Sequence, residues 1–227
     1  MILIACEESQ TLTIELRKNG FEAFSCDIQN CSGGHPEWHI KADVIPLLNG
    51  YCSFYTCDGV LHSLSDKWEA IVAFPPCTYL TNAGNRYFNS PGRDKLRNEA
   101  CEFVDLIWSS NTDFLCIENP CGFLNKHWRP PSQTVHPYFF CDSVDEEGYI
   151  LKRTCFWLRG FYPLERSSNL PMPEPLYLTK RSDGTIKKRY STEALSGSIS
   201  RSKLAPSFAR AIVEQWFLGN YVQLRFL

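Results

Sequence analysis

A chain of 227 residues with 44% apolar side chains can bury a sizeable core, as one large α/β domain or a domain with a small appendage. Its formal net charge of -2 supplies no global basic field, so contact with a polyanion must come from local clusters. The 11 cysteines cannot all pair within the chain, no basic leader precedes Glu7 and Glu8, and no apolar run approaches the roughly 20 residues that span a bilayer. A reducing, cytoplasmic setting with mostly reduced thiols and no membrane partner is expected.

Residues 2–6 read as a buried parallel strand, and the helix after it runs to about Asn19, where Gly20 offers a left-handed cap. Residues 21–26 form a second strand closing on Asp27, so the first 27 positions make a β-α-β unit with an acid at its tip. Asp43-Val44 is expected as a short third element, residues 53–56 and 59–62 as a hairpin turning at Asp58-Gly59, and residues 68–74 as the next strand. Pro75 stops that strand because proline cannot donate to a sheet ladder.

Ala100, Phe103, Val104, Ile107 and Trp108 recur at helical spacing within 94–110. Residues 114–117 are the following strand, which ends at Glu118-Asn119-Pro120. Residues 150–158 are rich in β-formers, 163–175 are proline-rich and linker-like, 176–190 read as a hairpin broken at Asp183-Gly184, and 207–218 as an amphipathic closing helix. The alternation predicts an α/β fold with a mostly parallel central sheet flanked by helices, small hairpin additions, and ligands at the carboxyl ends of the strands. One domain is expected over 1–227, with 151–203 as an appended β and loop region and 204–218 as the closing helix.

Two neighbouring strands thus end in reactive groups. "AFPPCTYLT" holds Cys77 on the loop beyond one, and "CIENP" holds Glu118 at the end of the other. A thiolate activated by a local positive charge attacks carbon, and a carboxyl with a raised pKa delivers a proton or hydrogen bond at neutral pH. Together they suit an electron-poor ring that is protonated as it is attacked. In a pyrimidine, sulfur adds at carbon 6, the acid supports nitrogen 3, and carbon 5 becomes nucleophilic. The bland alternatives are a packed thiol beside a turn and a carboxylate capping a loop; the joint placement favours a site.

In this order and spacing, "FPPCTYLTNAG" and "CIENP" resemble the Pro-Cys and Glu-Asn motifs of the cytosine-5 DNA methyltransferase family. "ILIACEESQ", "SCDI", "KRTCFWLRG" and "SRSKLAPSFARAIVEQW" extend the likeness over nearly the whole chain, to short phage and prophage members lacking a large target-recognition domain. The resemblance implies a Rossmann-like methyltransferase fold, S-adenosylmethionine as cofactor, nucleic acid as partner with DNA favoured over RNA, and a bacterial host's cytoplasm. It implies Cys77 as nucleophile, Glu118 as acid, Asn119 and Pro120 shaping that turn, and Lys152 and Arg153 as a basic motif, Arg153 within the catalytic set. Cofactor contacts would come from Cys6, Glu7, Glu8, Ser9, Asp27, Ile28, Asp43 and Pro75, with Asp27 on the ribose. Thr78, Asn82, Arg86, Lys152, Lys187 and Lys188 would meet the nucleic acid.

The sequence departs from that family twice. The loop Cys6-Glu7-Glu8-Ser9-Gln10 carries no glycine, and only about 45 residues separate Gly160 from the closing helix. Glu7 and Glu8 are left to meet the cofactor's ammonium group. A modifying enzyme with another donor and a non-catalytic binding descendant stay open as alternatives. An amino-group methyltransferase is disfavoured, because Phe74 stands where that chemistry needs a hydrogen-bond acceptor. Arg86 is a candidate to lower the Cys77 pKa. Cys26-x4-Cys31-x3-His35-x3-His39 has zinc-ligand residue types at a non-standard spacing, and no metal is expected. Lys180, Arg181, Lys187, Lys188 and Arg189, with Tyr177 and Tyr190, make a basic hairpin able to hold phosphates.

Overall fold

The computed structural model describes residues 1–81, 90–175, 177–180, 182–189 and 203–219. Strand β1 (Ile2–Ala5) is apolar and buried at every position, as a strand covered on both faces must be. Helix α1 (Thr11–Lys18) buries Leu12, Thr13 and Leu16, and Gly20 follows it at φ 83°, the left-handed position its sequence suggested. Strand β2 (Ala23–Asp27) returns parallel to β1, with Ala5 beside Cys26.

The third strand is not at Asp43-Val44. It is β3 (His39–Lys41), parallel to β2 and opening where Pro36–Trp38 ends a single 3-10 turn; Asp43-Val44 lies in the turn beyond. His39 reads as polar in the sequence, yet its ring is buried between the Ser25 hydroxyl and the Gln29 carbonyl, so the apolar pattern missed it. Strands β4 (Cys52–Tyr55) and β5 (Leu61–Leu64) form the expected hairpin, with Gly59 donating to the Thr56 carbonyl in its turn.

Strand β6 (Ala70–Ala73) pairs parallel with β1, so the sheet grows outward in both directions from the first strand. Helix α2 (Arg93–Trp108) leads to β7 (Phe114–Pro120), parallel to β6. β7 runs three residues past its expected end, because β9 (Thr154–Arg159) lies antiparallel along it and supplies partners out to Pro120. A short helix α3 (Phe123–His127) and the edge strand β8 (Gln133–Val135) were not legible as apolar patterns; each is too short for a period to show. The sheet order is β3-β2-β1-β6-β7-β9-β8, an α/β architecture with a mostly parallel seven-stranded sheet.

Two compact units emerge. The first comprises Met1–Thr134 and Thr154–Pro163, and its core sets Leu3, Phe24, Ile71, Leu115 and Trp157 of the sheet together with Val104 and Ile107 of α2. The second comprises Val135–Arg153 and Leu164–Leu227. There Phe140 packs against Phe208 of helix α4 (Pro206–Ile212), which continues as a π-helical turn over Val213–Leu218. Strands β10 (Tyr177–Lys180) and β11 (Ile186–Arg189) form an antiparallel ribbon at the predicted second hairpin. Among the described residues no helix is long and apolar enough to cross a membrane.

Candidate active site

Parallel strands deliver their carboxyl ends to one edge of a sheet, and here the register aligns them. Ala5 is level with both Cys26 and Ala73, and Ala73 with Ile117. One step further, Asp27, Cys6, Phe74 and Glu118 therefore form a row along the carboxyl edge. The reversal of strand order at β1 and β6 opens the crevice where open α/β sheets bind ligands.

Asn119 ties the two reactive ends together. It is 1% exposed, and its side-chain amide donates to the Pro75 carbonyl at 2.9 Å, two residues before Cys77. Its Oδ1 finds no donor among the described residues. Beyond Pro75, Leu80 and Thr81 both donate backbone N–H to the Cys77 carbonyl at 2.9 Å, wrapping residues 77–81 into one helical turn. That turn docks on the segment after β7: Phe123 N–H donates to the Leu80 carbonyl at 2.7 Å, and Thr81 bridges Gly122. A Cβ on Gly122 would stand 2.0 Å from the Leu80 oxygen, so only glycine permits the approach. Cys77 and Glu118 are each half-buried, and Thr78 is exposed.

The basic residue brought to this turn is one the sequence reading missed. Arg93 donates to the Thr78 carbonyl at 3.2 Å and lies 5.3 Å over the Tyr79 ring. One turn later Arg97, 4% exposed, pairs with Asp94 at 2.8 Å and lies 5.0 Å over Phe123. The first turns of α2 thus grip both loops. Two arginines at i and i+4 opening a helix between the reactive motifs were the available signal. Asn82 and Arg86 lie outside the described residues.

The glycine-free loop is built around Glu7. Its carboxylate, 4% exposed, accepts from Leu12 N–H at 2.7 Å, Thr13 N–H at 3.2 Å and the Thr13 hydroxyl at 2.7 Å. It neutralises the α1 N-terminus from within, so it does not point outward to an ammonium group. Burial pushes the carboxyl up to about 7, against those hydrogen bonds, which favour the ionised form. Close backbone approach comes instead from Gly33, where a Cβ would stand 2.7 Å from the Ser9 carbonyl and 2.6 Å from the Gln10 Cβ. Gln10 seals this contact, donating to the His35 carbonyl at 2.8 Å. Glu8 and Ser9 remain half-buried at the rim.

Cys6 takes φ 59°, and its thiol is driven well up, first by burial and then by Asp27, Cys26 and Asp43, which marks it as inert. Asp27 accepts from the Gln29 N–H at 2.9 Å, and Ile28 beside it is 74% exposed. Asp43, also exposed, accepts from Ile45 N–H at 3.0 Å. The four-residue zinc pattern comes apart: Cys26 is wholly buried with its thiol facing the Ala42 carbonyl, and His39 serves the core. Among the described residues no group of three or more His, Cys, Asp or Glu is placed to hold a metal.

Lys152 and Arg153 belong to the second unit. There His136 has its pKa lowered by burial and then by the Arg153 charge, while a hydrogen bond with the Lys152 backbone opposes both. On the ribbon, Lys188 faces Leu178 and Lys180 faces Ile186 across the strands, with all four side chains exposed; Lys187 stands opposite Thr179. Arg181 and Tyr190 lie outside the described residues. No family model matches the chain, and no curated protein matches it as a relative.

Proposed function

We propose that this protein is a Rossmann-like, S-adenosylmethionine-dependent methyltransferase that modifies carbon 5 of cytosine in nucleic acid, DNA rather than RNA, in the cytoplasm of a bacterial host. The observation that carries the reading is the Asn119 bridge to Pro75, which fastens the strand end bearing Glu118 to the loop bearing Cys77.

The edge residues fit this cofactor better than a dinucleotide. A pyrophosphate would need the N–H groups of the α1 N-terminus, and Glu7 already holds them. A cofactor with adenosine, a sulfonium cation and no phosphate suits what remains. Asp27 would accept from the ribose hydroxyls, Ile28 would face the adenine, Asp43 would take its amino group, and Glu8 would add negative charge near the cations. When bound, the cofactor supplies an electrophilic methyl group.

The chain's own groups do the rest. The Cys77 thiolate adds to carbon 6 of the cytosine, and the Glu118 carboxyl hydrogen-bonds nitrogen 3, so electron density collects at carbon 5. Once carbon 5 carries the methyl group that the cofactor would supply, loss of its proton re-forms the carbon 5–carbon 6 double bond and expels the Cys77 thiolate. Arg93 stabilises the turn that presents the sulfur, and its positive charge favours the thiolate. Lys180 and Lys188 on the ribbon contact phosphates.

A duplex oligonucleotide containing 5-fluorocytosine, incubated with protein and S-adenosylmethionine, tests this: fluorine cannot leave as a proton does, so the Cys77 adduct is trapped. A band shift in denaturing gels that Cys77→Ser abolishes is expected. No adduct, together with no calorimetric binding of S-adenosylmethionine, refutes the proposal.

A further inference from the structure

Behind the Glu118 segment lie two thiols that the proposed chemistry does not use. Cys155 on β9 stands opposite Asn119 in the antiparallel register and is wholly buried; Cys121, two residues past Asn119, is half-buried. Their sulfurs are 2.9 Å apart. The Cys155 sulfur also accepts from the Asn125 amide at 3.2 Å and lies 3.6 Å from the Thr134 hydroxyl. Cys116, on β7, is fully enclosed, and burial and then the Glu118 charge drive its pKa well up, which makes it unreactive.

We propose that Cys121 and Cys155 form a redox pair, a disulfide modification site whose closure sets the position of the Cys77 turn. The oxidant is a low-molecular-weight disulfide of the glutathione class. Cys121, the more accessible sulfur, attacks it as thiolate and expels one small thiol; the Cys155 thiolate then displaces the second. Two protein thiols and one small disulfide become one protein disulfide and two small thiols, the two protons passing to the departing thiolates.

The consequence reaches the candidate site through bonds already described. Asn125 accepts the Gly122 N–H at 2.9 Å while donating to Cys155, so the segment after Pro120 and the β9 sulfur share one polar partner. Gly122 and Phe123 in turn hold Thr81 and Leu80 of the Cys77 turn. A covalent bond at Cys121 removes the freedom of that segment relative to β9, and the turn docked on it is held with it.

The test uses the full chain and does not depend on methyl transfer. The protein is equilibrated with mixtures of glutathione and its disulfide, blocked with N-ethylmaleimide, digested with trypsin and mapped by mass spectrometry. Cleavage at Arg97, Lys126, Arg153 and Arg159 places Cys121 and Cys155 in different peptides. Expected is a cross-linked pair lighter by two hydrogens, with fragment ions assigning it to Cys121 and Cys155, and absent from Cys121→Ser. Alkylation of Cys77 by iodoacetamide should differ at least about threefold between oxidised and reduced protein, and not at all in Cys121→Ser. Recovery of Cys121 only as the maleimide or as a mixed glutathione adduct, or a link to Cys101 or Cys116 instead, overturns the pair. A link with an unchanged Cys77 rate overturns its control of the turn. Because iodoacetamide reads the thiol alone, failure here is distinguishable from failure to methylate.

Discussion

Replacing Asn119 separates a tether from a filler. In Asn119→Ala the 2.9 Å bond to Pro75 is lost, removing about 1 kcal/mol and leaving a buried carbonyl unpaired at about 1–3 kcal/mol. The same change removes the partnerless Oδ1, which recovers about 1–3 kcal/mol. The net destabilisation is therefore only about 1 kcal/mol. Asn119→Asp has nearly the same shape and the opposite chemistry: an ionised carboxylate would face the Pro75 oxygen with no donor, a cost of about 3–5 kcal/mol for an unpaired buried charge. Its carboxyl pKa is raised in the folded state, so the deficit shrinks as pH falls, when the protonated acid can donate to Pro75, and grows as pH rises. Urea denaturation of the three proteins from pH 5 to 8 measures both effects, with trapping on the fluorocytosine duplex alongside. Trapping should fall at least about tenfold in either variant, since a small misplacement of a nucleophile is costly. Were Asn119→Asp no less stable than Asn119→Ala at pH 8, the assigned direction of the amide would be wrong and the tether with it.

Glu7 gives a second pH signature. Its folded pKa of about 7 stands above the ordinary 4.5, so its contribution is fully present below pH about 4.5 and is lost as pH rises through about 7, a difference of about 3 kcal/mol. Glu7→Gln should flatten stability against pH over that window, and coincident wild-type and variant slopes would contradict it. Arg93→Ala should slow alkylation of Cys77 about three- to tenfold near neutral pH with a small change in melting temperature, whereas an unchanged rate would strip Arg93 of its role. Gly122→Ala should destabilise by about 3 kcal/mol or more, because the new methyl meets a carbonyl oxygen rather than a yielding side chain; thermal unfolding checks it. Replacing Lys180 and Lys188 together with alanine should reduce the slope of log affinity for duplex DNA against log salt by about 1.8, and no change in slope would remove the ribbon from the interface.

Apolar runs bounded by turn residues were enough to place β1, β2, β6 and most of β7, because strands buried on both faces are mainly apolar, with Ser25 the polar interruption in β2. The helical spacing after Arg93 and both hairpins were equally plain. The tips followed, since a strand's end is local information: Asp27 and Glu118 could be placed towards the carboxyl ends of their strands, and Cys77 on the loop beyond its own, before any strand order was known. The third strand escaped because His39 is buried through two hydrogen bonds, a satisfaction that no periodicity encodes. The far half of β7 escaped because its partner β9 is antiparallel and more than thirty residues away in the chain.

What the sequence determined alone is a parallel α/β core with reactive groups at its strand ends. Which of those groups share one edge, and what holds them, was decided by tertiary structure. Register is a property of pairs of strands, and the bonds that join the motifs, Asn119 to Pro75, Phe123 to Leu80 and Arg93 to Thr78, connect residues between 15 and 44 apart. The same holds for Glu7, which reads as a loop acid available to a ligand and becomes a buried cap only when α1 folds back over it. Polar side chains choose among many partners, and only the folded chain shows which were taken.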